Sequence, residues 1–176
     1  MTLLRTLALL SLVATTTACD VHLLPELGTD AGEQSTRMTV HIGGVGADSL
    51  GDEVQEVRVN VIDVLVHRVE DDSWVILNTD GIEAELVAED QRSSNERLPV
   101  VLGGYDRVLL ALDHAEVLVD ESWEPAMLAR TEVEVTADLW VQHGSELQID
   151  FDLYGAVLRS PVDGWSFEPN PTAYTR

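Results

Sequence analysis

The sequence contains no lysine: its ten basic residues are all arginine and face 32 aspartates and glutamates, for a formal net charge of −22. So acidic a surface repels phosphate backbones and anionic headgroups, which excludes nucleic acid as a partner. The acidic excess otherwise reads as a solvated face that keeps the chain soluble. One cysteine in 176 residues rules out a disulfide framework and a thiolate metal cluster, so stability has to come from packing. After the N-terminal run, no apolar stretch is long enough to cross a bilayer. Also missing are a Gly-x-Ser-x-Gly elbow, an internal repeat and a βαβ alternation. Gly43-Gly44-Val45-Gly46 lacks the lysine and following helix of a phosphate loop and reads as a bend between strands. No cofactor is expected.

The single cysteine is also the most informative residue. Arg5 precedes the apolar run Leu7 to Ala18, and Cys19 follows it directly. A positive charge, an apolar stretch and small residues make a secretory signal over 1–18, and a cysteine at its cleavage point marks a lipid anchor. Lipoprotein signals usually carry Leu or Val three residues before the cysteine, where this chain has Thr16. Cleavage by an ordinary signal peptidase after Ala18 is the alternative, leaving a secreted chain with a free thiol. As a membrane span, residues 3–18 are too short. The expected partner is thus a membrane, through lipid on Cys19.

Residues 19–36, with Pro25, Gly28 and Gly32 and no sustained period, read as the lipidated N-terminus and a flexible tether. Residues 37–176 form the domain, and period-two alternation dominates it. Leu147, Ile149, Phe151 and Leu153 alternate with Glu146, Gln148, Asp150 and Asp152, a half-buried strand with its acids in water. Val133, Val135, Leu139 and Val141 alternate with acids and Trp140, with a bulge or bend around Thr136 to Asp138. In 54–69 the phase breaks at Ile62, which places a bulge near Val61 and Ile62. Glu70-Asp71-Asp72-Ser73 turns that strand into Trp74 to Leu77 as a hairpin. Tyr105 to Leu112 and Ala115 to Val119, separated by Asp113-His114, read as a second hairpin. Helical turns are expected only within 83–90 and around Tyr154 to Arg159. The pattern predicts an all-β chain: a single antiparallel β-sandwich, Ig-like or transthyretin-like, of about seven to nine strands with one or two short helical turns at most.

Several segments together resemble a known domain. Val57 to Arg68 followed by Asp72 to Leu77, then Leu98 to Tyr105, Leu147 to Leu153, and Trp165 to Pro169 fall in the order found in an uncharacterised β-sandwich domain of bacterial and archaeal extracytoplasmic lipoproteins, a domain of unknown function. The resemblance spans about residues 36 to 174 and departs at Glu89 to Arg97 and Ser122 to Arg130. It implies fold and compartment, and carries no catalytic residues.

The remaining chemistry-bearing residues are few. His22, His41, His67, His114 and His143 have no zinc spacing, although His41 and His67 are placed to meet across neighbouring strands. Glu70, Asp71 and Asp72 are calcium candidates because they concentrate carboxylates in one turn, without the spacing of a calcium loop. Asp150 and Asp152 share a strand face and cannot enclose a glycosidase cleft between them. Trp123 and Trp140 are candidate ligand-binding residues, since exposed rings beside carboxylates stack on sugars. The expected function is a membrane-anchored extracytoplasmic lipoprotein with a non-catalytic binding or structural domain. Alternatives are a carbohydrate-binding or adhesion module and a calcium-stabilised envelope module.

Overall fold

The computed structural model describes residues 34–78, 81–86, 93–94 and 98–176. The expected signal peptide, Cys19 and the tether up to residue 33 lie outside them. Within the described residues the chain is all-β. Its strands are β1 (Ser35–Val45), β2 (Glu56–Arg68), β3 (Ser73–Asn78), β4 (Ile82–Glu85), β5 (Ser93–Ser94), β6 (Leu98–Val101), β7 (Gly103–Val119), β8 (Ser122–Leu128), β9 (Glu132–Val141), β10 (Glu146–Asp152), β11 (Val157–Ser160), β12 (Gly164–Phe167) and β13 (Pro171–Thr175). A 3-10 turn, Ala47–Ser49, follows β1.

Two sheets share these strands. The larger is built on β2 and β7, which pair antiparallel from Glu56 opposite Leu118 to Arg68 opposite Tyr105. The free edge of β2 takes β4 and then β3, and that of β7 takes β8 and then β9. β12 adds to β8 in parallel, and β11 closes on β12 as a hairpin. In the smaller sheet β10 lies between β13 and β1, while β5 and β6 pair with the other side of β1. One apolar cluster draws on both sheets, with Ile42, Ile149 and Phe151 from the smaller and Val59, Val66 and Leu110 from the larger. β13 runs beside β9 and β6 beside β3, so edges of the two sheets approach one another on both sides.

The long central strands keep a single buried face by means of bulges. Val57, Val59 and Val61 are fully buried, then the phase changes and Val64 and Val66 are. Ile62, at the change, is 38% exposed. The bulge expected near Val61 and Ile62 is therefore present, as register shifts between Val59 and Val61 and between Val61 and Asp63. β7 changes phase at the same level, from Leu110 and Leu112 to Ala115 and Val117. The extra residues on β7 are Asp113 and His114, both exposed, so these residues form a bulge inside one strand and not the expected hairpin turn. Neither has a positive φ, which a two-residue hairpin turn needs at its centre. The true turn is Asp120–Glu121, at φ 48° and 64°, joining Val119 to Ser122. That geometry belongs to the type I′ turn, whose usual signal is Asn-Gly or Asp-Gly, which this chain does not carry there.

Other expectations change as well. The sheets are not wholly antiparallel: β1 and β10 are parallel, as are β12 and β8. Parallel neighbours need a long crossover, and here the larger sheet's central strands are wound between β1 and β10. Among the described residues thirteen strands replace the expected seven to nine, the added ones including the short β5, β6, β11 and β13. Of the expected helical turn within 83–90, residues 87–90 lie outside the described residues and Ile82–Glu85 is strand; Tyr154 to Ala156 is a turn into strand Val157–Ser160. β1 begins at Ser35, two residues before the expected domain boundary. The polar face of β10 is only partly in water: Glu146 and Asp152 stay partly exposed, but Gln148 and Asp150 are buried, and Asp150 accepts a 2.8 Å hydrogen bond from the Tyr174 hydroxyl. Alternation shows which residues share a face, but burial of the second face depends on strands far away in sequence.

Gly44 tests the packing between the sheets. A Cβ there would lie 3.0 Å from Leu153 Cδ1 and Leu86 Cβ and 3.1 Å from the Leu86 carbonyl oxygen, so backbone would have to move. Gly44→Ala is expected to destabilise by about 1–3 kcal/mol through overpacking. Gly51→Ala, where a Cβ meets nothing within 4 Å, should change stability by less than about 0.5 kcal/mol. Urea denaturation of both variants measures the difference.

Candidate functional site

The solvent-facing side of the larger sheet gathers most of the side-chain chemistry in the described residues. At one end His67 sits in β2 between Trp74 of β3 and Arg107 of β7, its partners in register. A second bulge aims the acid: β7 places both Asp106 and Arg107 against His67, since Tyr105 already pairs with Arg68. His67 Nδ1 lies 2.7 Å from Asp106 Oδ1 and Nε2 lies 3.0 Å from Asp72 Oδ1. The ring donates through both nitrogens when it carries both protons. Trp74 meets it edge-on at 5.1 Å, and Arg107 extends over Trp74 with its guanidinium 5.1 Å from the ring centre. His67 is buried under this cover. Its hydrogen bond holds the Asp106 carboxyl below the ordinary carboxylate range, helped by the charges of His67 and Arg107.

Both ring nitrogens are therefore taken, and neither is presented to a substrate as a general base. The arrangement ties the β2–β3 turn to β7. Beside it, buried Arg68 contacts Glu70 at 2.7 Å and Asp71 at 3.3 Å, and Asp71 also accepts the Ser73 hydroxyl at 2.7 Å. That hydroxyl, foremost, lowers the Asp71 carboxyl, with Arg68 assisting. The three calcium candidates are thus divided: Glu70 and Asp71 serve Arg68, and Asp72 serves His67. Among the described residues no group of three His, Asp or Glu side chains is arranged to hold a metal ion. Nor do His41 and His67 meet, because His41 lies in the smaller sheet, 3.4 Å from Glu146.

At the other end of the same face stands Arg58. Its guanidinium is 2.9 Å from Glu85, 3.5 Å from Glu83 and 3.6 Å from Glu116, and it covers the Trp123 ring at 4.0 Å from the centre. Trp123 is consequently half-buried beneath a cation. Trp140 is 66% exposed and lies against Gly104, where a Cβ would sit 3.5 Å from the indole. The two candidate tryptophans pair with Leu118 and Gly104 of β7, fourteen residues apart, or about 45 Å of strand at about 3.3 Å per residue. They share no groove. The Arg58 and His67 clusters were not foreseen from sequence. The signal available was a cation within an alternating valine strand, and adjacent opposite charges, Asp106-Arg107, interrupting an apolar one.

Comparison with known proteins finds no match among family models, curated proteins or solved structures.

The His67 tie predicts a pH dependence. A carboxyl held low in the folded chain stabilises above its unfolded value, and the contribution is lost as pH falls through the folded value. Asp106 and Asp71 follow this rule, as does Asp113, lowered foremost by its bond to His114. Melting temperature should fall with pH below the ordinary carboxylate range, and Asp106→Asn should make that fall shallower. In His67→Ala, Asp106 should titrate closer to the ordinary range by carboxyl-carbon NMR. An unaltered Asp106 titration would show that His67 is not its determinant.

Proposed function

We propose that this protein is a lipid-anchored extracytoplasmic lipoprotein whose domain is a β-sandwich serving in binding or structural display, without catalysis. The observation that carries this reading is Cys19 directly after the apolar run Leu7 to Ala18, with no second cysteine to pair with it. The lipid holds the chain to the membrane, and the segment before Ser35 spaces the domain from it. Two sheets around one shared apolar cluster favour the sandwich description. The occupied His67 nitrogens and the ion-paired carboxylates around Arg58 and Arg68 favour a non-catalytic role.

Binding is favoured over a purely structural role by Trp140. A ring two-thirds exposed and resting on a glycine offers a flat, open surface.

Cell fractionation tests the anchor. The wild-type chain is expected in the membrane fraction, released by detergent, and Cys19→Ser in the soluble extracytoplasmic fraction. A Cys19→Ser chain that stays wholly with the membrane would overturn the lipoprotein reading. Metabolic labelling with a radioactive fatty acid should mark the wild type and leave Cys19→Ser unmarked.

A further inference from the structure

Three of the four tryptophans in the chain share one arrangement. Arg58 lies over Trp123 at 4.0 Å, Arg107 over Trp74 at 5.1 Å and Arg159 over Trp165 at 5.1 Å. Each of these arginines is also held by carboxylates: Arg58 by Glu83, Glu85 and Glu116, Arg107 by Asp106 and Glu134, and Arg159 by Glu53 at 2.6 Å. Indole and carboxylate thus act together on one guanidinium, the ring through its negative face and the acid through charge-assisted hydrogen bonds. Trp140 is the fourth, and the most exposed. Asp138, two residues before it on the same solvent-facing side of β9, is exposed and about 7 Å away along the strand. Among the described residues no guanidinium covers Trp140 and no cation pairs with Asp138.

We propose that Trp140 and Asp138 form an open half of this arrangement, completed by an arginine side chain of a basic polypeptide partner. The proposal deepens the binding reading above and rests on it. Charge supports the choice of partner: a chain at −22 attracts basic surfaces from a distance and repels acidic ones. Geometry supports arginine over lysine, because a planar guanidinium stacks on an indole and still reaches a carboxylate with its edge. Gly104 supplies the seat, since the indole lies against the strand and is two-thirds exposed. The outer face of β9 continues the acidic track with Glu132 and Glu134, the latter already engaged by Arg107.

The test uses the full chain, labelled with nitrogen-15 in neutral detergent, and an end-blocked peptide of four arginines. A peptide of four citrullines, which keeps the shape and loses the charge, is the control. The indole N–H resonance of Trp140, identified by its absence from the Trp140→Phe spectrum, is expected to shift saturably with the arginine peptide alone. By fluorescence anisotropy of labelled peptide, Trp140→Ala should weaken binding by about three- to thirtyfold, and Asp138→Asn should weaken it too. A silent Trp140 resonance, an equal response to citrulline, or unchanged affinity in both variants would overturn the proposal. A response to a glucose or N-acetylglucosamine tetrasaccharide in place of the arginine peptide would overturn it in favour of a sugar platform. The readout is independent of fractionation, so a misplaced anchor and a silent Trp140 are told apart.

Discussion

The pairing of β2 with β7 is the constraint on which the rest of the structure depends. Along thirteen residues of one and seventeen of the other, the same face has to stay against the core. Strand alternation has a period of two, so any lost residue would turn the remaining side chains to water. The two strands avoid this by bulging at the same level, one at Ile62 and the other at Asp113-His114. Burial then resumes in both with the phase shifted together. All other strands of the larger sheet attach, directly or through a neighbour, to the outer edges of this pair.

The bulges also govern the chemistry of the solvent face. Without the displacement at Asp106, only Arg107 would oppose His67, and the imidazole would lack its 2.7 Å partner. The charge balance then shapes what surrounds it. With ten arginines for 32 acids, single cations serve several carboxylates, as Arg58 does for three glutamates from two strands. Such sharing lowers like-charge repulsion across neighbouring strands, where directly opposed acids are unfavourable. Stacking over tryptophan gives the same arginines an apolar seat. On this face, packing and electrostatics are carried by the same residues.

Much of the fold was legible in the strand pattern. The β2–β3 hairpin and its acidic turn were visible because an alternating run ends in Glu70 to Ser73, and the β2 bulge because Ile62 breaks the phase. Asp113-His114 misled because polar residues between two apolar runs resemble a turn, whereas the real turn, Asp120-Glu121, adopts positive φ without a glycine. The site was less legible. Trp140 could be picked out from its place on the polar phase of its strand, and its exposure agrees with that. Trp123 could be picked out too, but the arginine that covers it comes from β2, 65 positions earlier in the chain.

By itself, the sequence determined the local matters: the all-β character, the phases of the long strands, the acidity of the surface and the cysteine at the end of an apolar run. These follow from periodicity, composition and adjacency, which act over a few residues. The tertiary structure decided the parallel pairs, the burial of Gln148 and Asp150, and the choice of which carboxylates meet which arginine. Those depend on register between strands that are remote in the chain, where a shift of one residue exchanges every contact. Among the described residues Trp140 is the one tryptophan without an arginine over its ring, because the register that sets it against Gly104 brings none of the described arginines there.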